Sequence, residues 1–241
     1  MFYFTIHRGT FIMALHVINQ PHDQTKAVND AMRYPNLEKI ISVPLGIGEF
    51  YEACKDYPIL FTKNQEGDWL AIALLGFNDK NVSLDENGRF KRGKYVPAFL
   101  RRYPFALVQN EAQEGFSLAI EEEGLEELNA SNQARALFKE DKTPSDLTKN
   151  ILDFLVRFQG ELQSCSAFIK ELYKGELLVQ KSANVIDEEG KTHTINGFFT
   201  LDEEKFNRLN DKKKLDMCKK GATPLITAHL ISLSNIRRLG M

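Results

Sequence analysis

The sequence predicts an α+β protein, a mixed but mainly antiparallel sheet covered by one long amphipathic helix and a set of C-terminal helices. Up to about residue 120, short apolar runs alternate with polar turns, the pattern of strands. Beyond that point, a stretch of roughly 30 residues repeats apolar side chains at steps of three or four, the signature of one buried helix face. Strand signals then return once before a last helical region.

In chain order, "LEKIISVPL" (37–45) reads as a strand, and "GEFYEACKDYP" as a short helix that the Tyr57–Pro58 step ends, because the residue before proline is pushed out of helical geometry. "PILFTKNQEGDWLAIALLGF" reads as two strands joined by a polar turn at Asn64 to Asp68. The second of them, "WLAIALLGF", is apolar on both faces and so belongs inside a sheet. "NVSLDENGRF" adds a strand and a turn at Asn87–Gly88, and "FALVQ" and "GFSLAI" add two more strands.

The long helix is expected over 144–173. Thr143 is the apparent N-cap, Pro144 the first helical residue and Gly175 the stop, with Gly160 a candidate kink. Leu147, Ile151, Leu155, Phe158, Leu162, Ile169 and Leu172 form its apolar face. "ELLVQKSANVIDEEGKTHTINGFFTL" follows as strand and turn. "DEEKFNRL", "DKKKLDMCKKG" and "TPLITAHLISLSNIRRLG" are helical, the last with a Thr223–Pro224 start.

With a formal net charge of −2, the chain lacks the basic balance of a nucleic-acid binder. Cys54, Cys165 and Cys218 are widely dispersed and form no CxxC pair, which suggests reduced thiols in a cytoplasmic protein. No apolar run is long enough for a transmembrane segment. "HRGTFIMALHVINQP" is basic then apolar, but His16 interrupts it and no A-x-A site follows, so it reads as not exported. Met13 is an alternative start, which would make residues 1–12 an N-terminal extension.

Familiar catalytic patterns are sparse. "GIGEFY" lies between a strand and a helix, yet Tyr51 stands where a dinucleotide loop needs its third glycine, so Gly46 and Gly48 read as a tight turn. The five histidines, His7, His16, His22, His193 and His229, include no HExxH. His16 and His22 could meet in space, but no metal and no cofactor is assigned. His229 in "TAHLISL" is either a hydrogen-bonded core residue or the best general acid/base of the C-terminal half.

"YVPAFLRRYPFAL" (95–107) is the strongest local signal. Two proline steps hold the segment, and Ala98, Phe99 and Leu100 fix it against a core. Arg101 and Arg102 then lose little entropy on binding, and guanidinium suits a bidentate grip on carboxylate or phosphate with stacking on Tyr95 or Tyr103. Two readings stay open: an internal salt bridge to a nearby glutamate or to Asp85 or Glu86, or an anion site built from Tyr95, Arg101, Arg102, Tyr103 and His229.

At this motif the sequence resembles the SapC family of bacterial proteins. The residues that carry the resemblance are "YPILFT" (57–62), "LLGFNDKNVSLDENGRF" (74–90), "KYVPAFLRRYPFAL" (94–107), "INGFFTLDEEKFNRL" (195–209) and "GATPLITAHLISLSNIRRL" (221–239). It implies a single SapC-like domain over 13–241. The family is named for surface-layer systems, so the resemblance implies an accessory protein that binds a protein or peptide partner of such a system. It supplies no catalytic residues. The alternative reading is a small-anion-binding protein or enzyme built on the Arg101/Arg102 segment.

Overall fold

The computed structural model describes residues 14–18, 22–28, 34–109, 115–128 and 134–240. The extension expected over residues 1–12, and Met13, lie outside the described residues. The strands are β1 (Leu15–Val17), β2 (Lys26–Val28), β3 (Ser42–Pro44), β4 (Ile59–Lys63), β5 (Trp69–Leu74), β6 (Gly76–Phe77), β7 (Lys80–Asn81), β8 (Phe105–Gln109), β9 (Phe116–Glu121), β10 (Leu125–Glu127), β11 (Arg135–Ala136), β12 (Leu178–Ile186) and β13 (Thr192–Leu201). The α-helices are α1 (Phe50–Asp56), α2 (Ala98–Arg101), α3 (Asp146–Lys174), α4 (Glu203–Asn207), α5 (Asp211–Lys219) and α6 (Ala222–Ser232). The chain is an α+β protein whose described ladders are antiparallel, and the strands among its described residues fall into four sheets. Contacts group Met1–Pro35 with Leu100–Gln159 in one unit, and Asn36–Phe99 with Gly160–Met241 in a second.

The first unit contains the sheets β1-β9-β8 and β10-β2-β11. Alternation along β8 and β9 puts Phe105 opposite Ile120 and Leu107 opposite Leu118, so one face is continuously apolar. Leu137, Phe138 and Leu155 complete its core, with Leu147, Ile151 and Phe154 of α3 packed around it. Burying each such side chain contributes about 1.5–3 kcal/mol. The helix starts later than the Thr143–Pro144 pair suggests. Thr143 bonds Asp141 in a local turn (2.6 Å), while the Ser145 hydroxyl accepts from the Thr148 N–H (3.3 Å) and caps α3.

The second unit contains the five-stranded sheet β12-β13-β4-β5-β3 and the β6-β7 hairpin. As its two-faced apolarity requires, β5 lies between β4 and β3. Its pairs Phe61↔Ala71 and Ile59↔Ala73 set large residues against small ones. The 37–45 stretch yields strand only at β3, because Asn36 takes a left-handed conformation and starts a 3-10 turn over Leu37–Lys39. In the β6-β7 turn, Asn78 and Asp79 have φ of 51° and 55°, the geometry of a tight hairpin. Gly76 is required there by close approach, since a Cβ on it would stand 1.9 Å from the Lys80 carbonyl oxygen.

Gly160 does not interrupt α3. In the helix's second half Cys165 fills the apolar step that the sequence leaves between Leu162 and Ile169, and Cys165, Ile169 and Leu172 are all buried. The Phe168 ring meets Phe50 and Phe61 edge-on. The last helix begins at Ala222 behind Gly221 (φ 71°), rather than at Thr223.

Candidate functional site

In the first unit the arginine segment opens onto a cavity of about 290 Å³. Arg101, Arg102 and Arg135 are among the described residues that line it. Phe105, Leu147, Ile151 and Phe154 supply apolar wall. The Arg101 guanidinium lies 5.5 Å from the Phe154 ring centroid, and Arg102 Nη1 donates to the Phe105 carbonyl at 3.0 Å. Packing on a ring and bonding to backbone hold both cations in place. Arg135 comes from β11, where nothing in its sequence neighbourhood marks it.

Beside Arg102 and Tyr103 stands a polar cluster in which Glu121 is one of the nearby glutamates open to the arginines and Tyr34 is unmarked in the sequence. The Tyr34 and Tyr103 rings lie 5.3 Å apart, and the Glu121 carboxyl stands near the Tyr103 hydroxyl. Burial lifts the Glu121 carboxyl to about 7, against the opposing pull of Arg102 and the Tyr103 bond and with a smaller push from Glu123. Tyr103 is raised to about 12, first by burial and then by Glu121. Burial lowers Arg102 below its ordinary range, opposed by Tyr34 and Glu121. Arg102 thus has Glu121 as a carboxylate neighbour, and the segment also borders the cavity.

Tyr95 and His229 belong to the second unit, and each has a full set of partners there. Tyr95 donates its N–H to Asp56 (2.8 Å), accepts at its carbonyl from the Tyr57 hydroxyl (2.6 Å) and donates its own hydroxyl to Glu49 (2.9 Å). Glu49 is only 5% exposed, and it also accepts from the N–H groups of Gly46 and Ala98, both at 2.7 Å. One buried carboxylate therefore ties the "GIGE" turn to the start of the proline-bracketed segment.

His229 is fully buried. The register Phe199↔Phe61, continued by two residues, sets Leu201 opposite Ile59. Instead of pairing directly, the Leu201 N–H donates to His229 Nε2 (3.1 Å), and His229 Nδ1–H donates to the Ile59 carbonyl (2.9 Å). The Ile59 N–H goes to the Ser232 hydroxyl (2.9 Å). Two side chains of α6 thus stand where a β4-β13 ladder rung would be. The imidazole stacks on Phe61 at 4.4 Å, and burial lowers its pKa to about 4, so it is held neutral.

The "GIGEFY" turn is filled by the chain's own carboxylate. A Cβ on Gly46 would lie 2.7 Å from Glu161 Oε2, and one on Gly48 would lie 3.1 Å from both Glu161 carboxylate oxygens. The two glycines make room for a glutamate of α3 rather than for a phosphate. His16 Nε2 bonds the buried Asp23 at 2.8 Å. Among the described residues no group of three or more His, Cys, Asp or Glu could hold a metal ion.

The fold is an antiparallel α+β one, and the comparison with known families is specific. The SapC family profile matches residues 18–239, nearly the whole chain, and the protein belongs to that family. No curated protein and no solved structure matches it. Among the described residues no helix is long and apolar enough to cross a membrane.

Proposed function

We propose that this SapC-family chain is a non-enzymatic accessory protein of the surface-layer type, which works by binding a protein or peptide partner. The cavity lined by Arg101, Arg102 and Arg135 is the observation that carries this reading, because three cations beside an apolar wall suit an anionic group on a carbon skeleton. Tyr103 borders the same cavity and is part of the site. Tyr95 and His229 are read as structural residues of the second unit, each hydrogen-bonded within it. The domain is taken as 13–241 with residues 1–12 as an extension, in keeping with an unbroken family match over 18–239. A cytoplasmic place of action accords with Cys54, Cys165 and Cys218 all being free thiols.

The test is genetic. Deleting the gene should change the amount, attachment or antigenicity of the surface layer, and complementation with an Arg101→Ala/Arg135→Ala chain should fail to restore it. An unchanged surface layer in the deletion strain refutes the accessory role. The second reading, a small-anion-binding protein or enzyme, uses the same cavity and predicts a small-molecule ligand in place of a macromolecular one.

A further inference from the structure

We infer that β12 is an interface for a second copy of this chain, the two β12 strands pairing antiparallel about a two-fold axis at Ser182. The inference concerns the second unit alone and does not draw on the arginine cavity. In the order β12-β13-β4-β5-β3 two strands are edges, and they differ in how they are protected. The edge at β3 is blunted: it has three residues and ends in Pro44, which has no N–H to offer. The edge at β12 has nine residues, no proline and one charge, Lys181. It also carries no bulge of its own. Where the ladder shifts between Lys181 and Ala183, the extra residue lies on β13, because Asn196 and Gly197 (φ 82°) both stand opposite Ser182.

The two ends of the strand fix the direction of its backbone groups. The Asp187 N–H donates to the Lys191 carbonyl (3.0 Å) and the Leu177 carbonyl accepts from the Asp202 N–H (2.7 Å), so the odd-numbered residues bond towards β13. The N–H and C=O groups of Gln180, Ser182 and Asn184 therefore face outward, and among the described residues nothing bonds them. An unprotected edge of this length is a template for another strand. The sequence of β12, "LVQKSANVI", selects a second copy, because it is a palindrome in chemical character about its central serine. A two-fold axis there sets Leu178 opposite the partner's Ile186, Val179 opposite the partner's Val185, Gln180 opposite the partner's Asn184 and Lys181 opposite the partner's Ala183. Serine meets serine at the centre. Apolar thus faces apolar, amide faces amide, and no lysine faces a lysine. Moving the axis to Lys181 would oppose the two lysines, and moving it to Ala183 would set Gln180 against the partner's Ile186. Gly240 packs on the outward Ile186 carbonyl, a Cβ there lying 1.9 Å from it. The ladder is therefore counted over Gln180 to Asn184, about six backbone hydrogen bonds.

Sedimentation equilibrium of the full chain tests this. So small an interface makes a weak dimer, so the mass should rise from one chain towards two between about 1 and 500 µM. Ser182→Lys sets two like charges opposite each other, and Ser182→Pro removes the central outward N–H. Ser182 is exposed and its N–H faces away from β13, so both variants should keep the wild-type circular dichroism spectrum and weaken association at least about tenfold. If the proline variant fails to fold, the lysine variant carries the test. Cross-linking reads the register. With Cys54 and Cys218 changed to serine, Ser182→Cys should form an intermolecular disulfide under mild oxidation, since directly opposed residues of such a pair lie about 5.5 Å apart between Cα atoms. Gln180→Cys and Asn184→Cys should each fail alone and cross-link when mixed. A monomer over the whole range, association that Ser182→Lys leaves unchanged, or a Gln180→Cys chain that cross-links to itself as readily as Ser182→Cys overturns the inference. A monomer that instead takes up a synthetic extended peptide along β12 also overturns it, and assigns the edge to a strand of another protein.

Discussion

Replacing His229 by leucine fills much of the same space and removes both hydrogen bonds of the imidazole. The Leu201 N–H and the Ile59 carbonyl then lose their partners in a fully buried place. Each unsatisfied group costs about 1–3 kcal/mol, and the lost stacking on Phe61 adds a fraction more, so His229→Leu should destabilise the chain by about 3–5 kcal/mol at pH 7. That is a large part of a typical total of about 5–15 kcal/mol. The pH dependence gives a second check. A histidine held at about 4 in the folded state binds its proton more readily when unfolded. Its contribution is therefore complete above its ordinary value near 6.5 and is lost as pH falls from there through 4, by about 3 kcal/mol at full value. Urea unfolding of both proteins at pH 7 and pH 4 should show a wide gap at neutral pH that narrows in acid. A loss below about 1 kcal/mol at pH 7, or a profile as steep in the variant as in the wild type, would refute the bridging role.

Glu121 should behave in the opposite sense. Its carboxyl is raised to about 7, so its contribution is complete below its ordinary value near 4.5 and is lost as pH rises through 7. Glu121→Gln keeps an acceptor for Tyr103 and should stabilise the chain above pH 7 by about 1–2 kcal/mol, after allowance for solvent screening; denaturation series between pH 5 and 8 will show whether that gain appears. Gly46→Ala drives a Cβ against Glu161 and should cost about 1–3 kcal/mol. Glu161→Ala in the same chain should return part of that loss, and strictly additive effects in a double-mutant cycle would argue against the contact. Glu49→Ala removes the acceptor of three hydrogen bonds and should cost roughly 3 kcal/mol or more, read as a drop in the urea midpoint.

Periodic features were the legible ones. The apolar stripe of α3, the β4-β5 pair and the β12-β13 hairpin join neighbouring segments, and their patterns are local. The division into four sheets was not legible, because β1 pairs with β9 and β2 with β10 and β11 across long intervals that no short-range signal marks. The caps misled for a physical reason. Thr143 is a good N-cap residue that spends its hydroxyl on Asp141, and Ser145 takes its place. At the site, "FLRRYPF" advertised Arg101, Arg102 and Tyr103, and the salt-bridge reading left Glu121 among the nearby glutamates, whereas Arg135 and Tyr34 reach that region from other parts of the chain. Nothing adjacent to Arg135 or Tyr34 distinguishes them from ordinary surface positions.

The imidazole between β4 and β13 also sets a timetable. Ile59 is synthesised 170 residues before the histidine that satisfies its carbonyl. At about 5–20 residues per second, that interval is roughly 10–30 s. For most of it this border of β4 lacks its neighbouring strand β13, and for all of it its histidine, and an apolar strand left unpaired invites pairing with other chains. Early-truncated or stalled products should therefore be the forms of this protein that chaperones retain, and a ribosome profile with slow codons before α6 should lower its soluble yield more than the same pauses placed after it.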